Sequence, residues 1–128
     1  MCGDIVLNSE SRYSKYHNMP SLNRSNIYAK LPSAKLKEVF QIVLQNKKFR
    51  IERIVSCGQV TEPGKWLKEL HDEWVIVLKG EGKLRFEKGN RLVHVREGDY
   101  ILIPAHTSHR VAWTHPRKKT VWLAVHCR

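Results

Sequence analysis

The sequence predicts an all-β fold of short antiparallel strands with one short N-terminal helix, and three observations carry that prediction. Beyond Lys48, apolar and polar residues alternate with a period of two in short segments rich in Val, Ile, Trp and Leu. Gly, Pro, Asn and Asp punctuate these segments. Gly80-Glu81-Gly82 and Lys88-Gly89-Asn90 supply residues that accept positive φ where tight reversals need them. No second helical pattern separates the strands, which removes a parallel βαβ arrangement and leaves a sandwich or a barrel.

Taken in order, residues 1–26 are rich in Ser, Asn, Tyr and charge without sustained periodicity, so a loose arm is expected ahead of a folded domain over 27–128. Leu36, Val39, Phe40, Val43 and Leu44 then recur at i, i+3, i+4, i+7 and i+8. That spacing predicts a helix, with Ser33 as its N-cap and Asn46 as its stop. Strands are predicted over Phe49 to Ser56, Trp66 to Leu70, Trp74 to Lys79, Lys83 to Glu87, Leu92 to Val95, Tyr100 to Ile103, His109 to Trp113 and Thr120 to His126. A core this small needs bulky filling, so most of Trp66, Trp74, Trp113 and Trp122 are expected inside, with one or two left to line a ligand site.

Composition narrows the classes of function. A chain of 128 residues has room for one core, and 41% hydrophobic with 27% charged residues excludes collagen-like and fully disordered chains. Cys2, Cys57 and Cys127 lie far apart with no C-x-x-C pair, against a disulfide scaffold or a thiolate zinc site. No apolar run approaches the ~18 residues of a membrane span. A cytoplasmic protein with no membrane partner is the expectation. The net charge of +11 comes entirely from the two ends: residues 51–100 hold nine basic and nine acidic side chains, the first fifty nine and three, the last twenty-eight five and none. No nucleic-acid-binding signature accompanies this charge, so a nucleic-acid partner is not expected.

The residues that carry chemistry fall in two clusters at predicted strand ends: Glu69, His71, Asp72 and Glu73, then His106 and His109. Imidazole mixed with carboxylate suits Fe, Mn, Ni or Zn better than Ca or Mg, which prefer all-oxygen shells. On one extended strand Glu69, His71 and Glu73 share a parity and face the same way unless a bulge intervenes.

The segments EWVIVLKG (Glu73 to Gly80) and GDYILIPAHTSHR (Gly98 to Arg110) resemble the two-part motif of the cupin superfamily. Glu73 precedes Gly80 by the motif spacing, and Gly98 leads to Pro104 and then to His109 in the same way. The resemblance implies an antiparallel jelly-roll β-barrel whose mouth holds a metal on three histidines and one glutamate. Position by position, Glu73 and His109 match motif ligands. The other two histidine positions fall on Leu67 and Glu69, a motif glycine falls on His106, and the closing asparagine falls on Trp113. The expected metal ligands are Glu69, Glu73 and His109, completed by His71 or water, with His106 a rim residue or the proton-transfer candidate.

The resemblance also implies a small-molecule ligand and a homodimer. The function expected is a metal-dependent enzyme of dioxygenase or isomerase type. Its alternative is a non-catalytic module that binds a small ligand or sugar through an eroded metal site.

Overall fold

The computed structural model describes residues 22–128 together with the two-residue strand β1 (Val6–Leu7). The expected arm over 1–26 lies mostly outside the described residues. Eight further strands follow: β2 (Val39–Gln45), β3 (Phe49–Ser56), β4 (Glu73–Lys79), β5 (Glu81–Phe86), β6 (Arg91–Arg96), β7 (Tyr100–Ile103), β8 (His109–Thr114) and β9 (Thr120–Cys127). They form a six-stranded sheet in the order β1-β2-β3-β9-β4-β7 and a three-stranded sheet in the order β6-β5-β8. Every pairing is antiparallel. No helix among the described residues is long and apolar enough to cross a membrane.

Seven of the eight predicted strands form, within two residues of their expected bounds. The eighth, Trp66 to Leu70, does not extend. Only Leu67 bridges, exchanging both backbone hydrogen bonds with His109 (2.7 and 3.0 Å).

The predicted helix is not there, because β2 occupies its place. Val39, Phe40, Ile42 and Val43 are β-branched or aromatic and lose χ1 freedom in a helix. A bulge between Ile42 and Leu44 inserts one residue into the ladder, so a period-two strand imitates the i, i+3, i+4 spacing. Leu36, the first residue of the expected stripe, is 99% exposed. Asn46 does stop its element, as an Asx turn: its Oδ1 accepts the backbone N–H groups of Lys48 and Phe49 at 2.8 and 3.0 Å, which closes the β2–β3 hairpin.

The core lies between the two sheets and consists of Val75, Val77, Leu84, Val95, Ile103, Trp122 and Ala124. Trp122 fixes the spacing between the layers. Its indole fills the place where a Cβ on Gly82 of the opposite sheet would come within 2.6 Å, and its Nε1 donates to Ser56 Oγ at 3.2 Å. It is the one tryptophan in that core, contrary to the sequence expectation. Trp74 packs against Tyr100 on the outer face of the large sheet, Trp113 lies under Lys83 and Trp66 under Arg110. Long basic stems and a second aromatic ring partly cover these tryptophans from outside, so they need no interior position.

The outer face of β3 is also covered. The segment preceding β2 crosses it, and the buried Arg53 donates through Nη1 to the carbonyls of Ile27 (2.8 Å) and Ala29 (2.7 Å) while holding Gln41 through Nε and Nη2.

Candidate functional site

Strand register places the ionisable groups. Reading across the inner face of the large sheet, Ile103 of β7 opposes Glu73 of β4, which opposes His126 of β9, which opposes Arg50 of β3. The next row runs Ile101, Val75, Ala124 and Glu52. Residues directly opposite in antiparallel strands lie about 5 Å apart at Cβ, close enough for their side chains to meet. One end of the sheet is therefore polar while the rows beyond it are apolar. Ala124 puts only a methyl between Val75 and Glu52, which leaves room above the sheet.

That room is a cavity of about 380 Å³, within the usual range of ligand sites. Glu38, Arg50, Glu52, Glu69, Glu73, His109 and His126 supply its polar lining, and the apolar wall includes Ile54, Val75, Leu84, Val111 and Trp122. His109 comes from the small sheet and closes the cavity from the other side. It is buried, and its Nδ1 lies 2.8 Å from the carbonyl of Thr107. A carbonyl only accepts, so Nδ1 carries a hydrogen and Nε2 is the ring position left for a ligand.

His126 stands between two carboxylates. Its Nε2 is 2.8 Å from Glu52 Oε1 and its Nδ1 is 3.4 Å from Glu73 Oε2. The hydrogen bond to Glu52 raises the His126 pKa above the ordinary imidazole value; burial opposes this, and the Glu73 charge reinforces it. Burial raises the Glu73 carboxyl above the ordinary carboxylate value, with His126 and then His109 pulling it back and Glu69 and Glu52 adding to the rise. Glu38 is likewise raised, mainly by burial, and is countered by its hydrogen bond from Ser56 Oγ. The result is a carboxylate–imidazole–carboxylate array facing an apolar wall, able to hold and release a proton.

The residues singled out from sequence divide between two places. Glu73 and His109 meet in the cavity, as their motif positions imply. Glu69 also lines it but stands on the loop before β4 and is exposed. His71 does not share a face with Glu73, because β4 begins only at Glu73 and strand parity has no force before it. His71 lines a separate outer hollow. His106 is exposed at φ 63° in the loop before β8, and its backbone N–H donates to the Glu69 carbonyl at 2.8 Å. It lines neither space. The left-handed backbone there gives a physical reason for the glycine of the resembling motif.

His126, Glu52, Glu38 and Arg50 are not among the site residues expected from sequence. For His126 a signal existed, since it shares strand parity with Trp122 and Ala124. For Glu52 it did not. Both faces of β3 are covered, so Arg50, Glu52 and Ile54 alternate no more clearly than Ile51, Arg53 and Val55.

Among the described residues, no three His, Cys, Asp or Glu side chains are gathered closely enough to hold a metal ion. The donor set explains why. Both ring nitrogens of His126 face carboxylates, His109 offers one nitrogen, and His71 lies outside the cavity. These residues, as placed, do not fit a resident metal held by three or four protein ligands.

The fold and cavity define a class: a two-sheet antiparallel β protein with a ligand-sized interior and an acid–imidazole floor. The cupin domain family matches residues 58–126, and the chain belongs to that family. It is similar to the crystal structure of a protein from Ralstonia eutropha JMP134 provisionally named a mannose-6-phosphate isomerase, at 42% identity and TM-score 0.79, covering 83% of this chain and 98% of that one. A cupin superfamily protein from Desulfitobacterium hafniense DCB-2 is similar at 16% identity and TM-score 0.68, covering 87% and 95%. A cobalt(II) form of HppE in complex with Tris buffer shares the fold at 15% identity and TM-score 0.60, covering 70% and 52%. Among curated proteins no match is found.

Proposed function

We propose that the protein is a small-molecule enzyme of isomerase type that moves a proton between adjacent carbons of a sugar or phosphosugar. The observation that carries this reading is the convergence of Glu73, His126 and His109 on one cavity beside an apolar wall. The name of the 42% identical relative favours isomerisation over dioxygenation. In this scheme the Glu73 carboxylate accepts the proton from the carbon next to the carbonyl. The C–H electron pair forms the enediolate double bond, and the carbonyl electrons move onto oxygen. The proton held on Glu73 exchanges with solvent before one is delivered to the neighbouring carbon, and the hydroxyl proton passes by way of His109 from one substrate oxygen to the former carbonyl oxygen, so no oxidant or reductant is consumed. His109, with its hydrogen-bearing Nδ1 tied to Thr107, directs its other nitrogen to the substrate oxygens, and His126 fixes the Glu73 carboxylate.

The test is deuterium incorporation at the carbon next to the carbonyl when mannose 6-phosphate is held with the protein in D₂O and followed by proton NMR. Exchange with the native chain and its loss in Glu73→Gln is the expected result. Equal exchange in both proteins overturns the assignment of Glu73.

A second reading, a non-catalytic sugar-binding module, is favoured by the absence of three gathered metal donors among the described residues. It predicts sugar binding by calorimetry with no exchange, and little Fe, Mn, Ni or Zn after purification. Stoichiometric metal that disappears in both Glu73→Gln and His109→Ala would instead restore the metal centre implied by the family resemblance.

A further inference from the structure

We infer that the outer hollow beside the cavity is an oxyanion subsite, shaped for the phosphate of a phosphosugar whose carbon skeleton occupies the cavity. The hollow measures about 280 Å³ and shares Arg50, Glu69 and His126 with the inner cavity, so one ligand can span both spaces. Its other charged walls are His71, Asp72 and Arg128.

The observation that points to a ligand is Arg50. Its Nε has no hydrogen-bond partner among the described residues, the nearest carboxylate oxygen, Glu52 Oε2, stands 3.9 Å away, and the side chain is 38% exposed. The exposed part of this guanidinium presents charged N–H donors to the hollow, and a bound oxyanion supplies acceptors for them. Register places Arg50 directly opposite His126, at the point where the two spaces join. Arg128 is one step further out, with Nη1 held by the Asn46 carbonyl at 3.1 Å and its remaining donors uncommitted by that bond.

Two acids share the hollow. Asp72 Oδ1 already accepts the Ala105 N–H at 2.9 Å, which turns part of its charge toward the loop. Glu69 stands at the junction with the cavity. Four carboxylates, Glu38, Glu52, Glu69 and Glu73, line the inner space, so an anionic group is repelled there and its place is the outer hollow. A dianionic phosphate suits two guanidiniums and two imidazoles better than a single carboxylate would.

The inference rests on the inner cavity being the sugar site, but its test separates the two. Inorganic phosphate is titrated into the full chain and followed by ³¹P NMR, and mannose 6-phosphate and mannose are compared by calorimetry. The native protein is expected to bind phosphate and to prefer mannose 6-phosphate over mannose by about tenfold or more. Arg50→Gln removes phosphate binding and that preference, and Arg50→Lys retains part of both. Lys83→Gln, on the outer face of the small sheet, leaves everything unchanged.

Phosphate binding that is absent in the native chain, or that survives Arg50→Gln, overturns the subsite. Equal weakening by Lys83→Gln also overturns it, since a general charge effect then suffices. Arg50-dependent phosphate binding with no affinity for either sugar upholds the subsite and sinks the sugar reading.

Discussion

Residues held by paired strands and residues held by loops behave differently in this molecule. Glu73, His126, Glu52 and Arg50 stand on adjacent strands of one sheet, and cross-strand register alone brings them together. Glu69, His71 and His106 come from the connections before β4 and β8 and are exposed. Three of the five site residues expected from sequence belong to this second group. The lesson is that short sequence spacing to a ligand residue has little value once the strand ends, whereas a residue fifty-three positions away on a neighbouring strand is a direct neighbour.

The largest expected contrast is in proton transfer. Glu73→Gln lowers exchange by about 10²–10⁴-fold, the usual contribution of a positioned acid–base group, whereas His106→Ala leaves the rate essentially unchanged. A rate collapse in His106→Ala would reverse the comparison and make the rim the seat of the chemistry.

Next comes the layer that holds the strands. Trp122 is 4% exposed, and Trp122→Ala costs about 3–5 kcal/mol of unfolding free energy in urea titrations. Its counterpart Gly82→Ala drives a methyl into the indole and costs about 1–3 kcal/mol, because Trp122 has Ser56 as a fixed partner and cannot simply swing away.

A smaller effect is the pH dependence of stability. The pKa values of Glu73 and His126 are both raised on folding, so the folded chain binds more protons than the unfolded one and stability falls as pH rises. For Glu73 the cost of ionising a buried carboxyl sets in above the ordinary carboxylate range. The His126 contribution is fully present below the ordinary imidazole pKa and is lost as pH rises through the raised folded value. His126→Gln should flatten the upper part of the slope while lowering stability at every pH, since Glu52 and Glu73 lose their shared partner. An unchanged slope in that variant would place the protons elsewhere.

The smallest effect concerns the rim. His106→Gly relieves a left-handed backbone at φ 63° and changes stability by no more than about 1 kcal/mol, in the stabilising direction.

Most of the fold is legible in the sequence. Period-two alternation and glycine-marked turns locate seven strands, because a strand with one face on a core must alternate and a tight turn must accept positive φ. The helix over 33–46 was misread for a local reason: one bulged residue shifts the phase of the pattern, and sequence alone does not distinguish a phase shift from a helical period. The site is legible in two of its members, Glu73 and His109, through the motif they match.

What the sequence by itself determines here is the all-β class, the order of seven strands and the polar character of two strand ends, since these depend on residues close together in the chain. The partnership of Glu73 with His126 and Glu52, the orphan donor on Arg50 and the burial of both faces of β3 are decided only in three dimensions. They arise from which strand lies beside which, and hydrogen-bond register between distant segments leaves no mark in the local pattern.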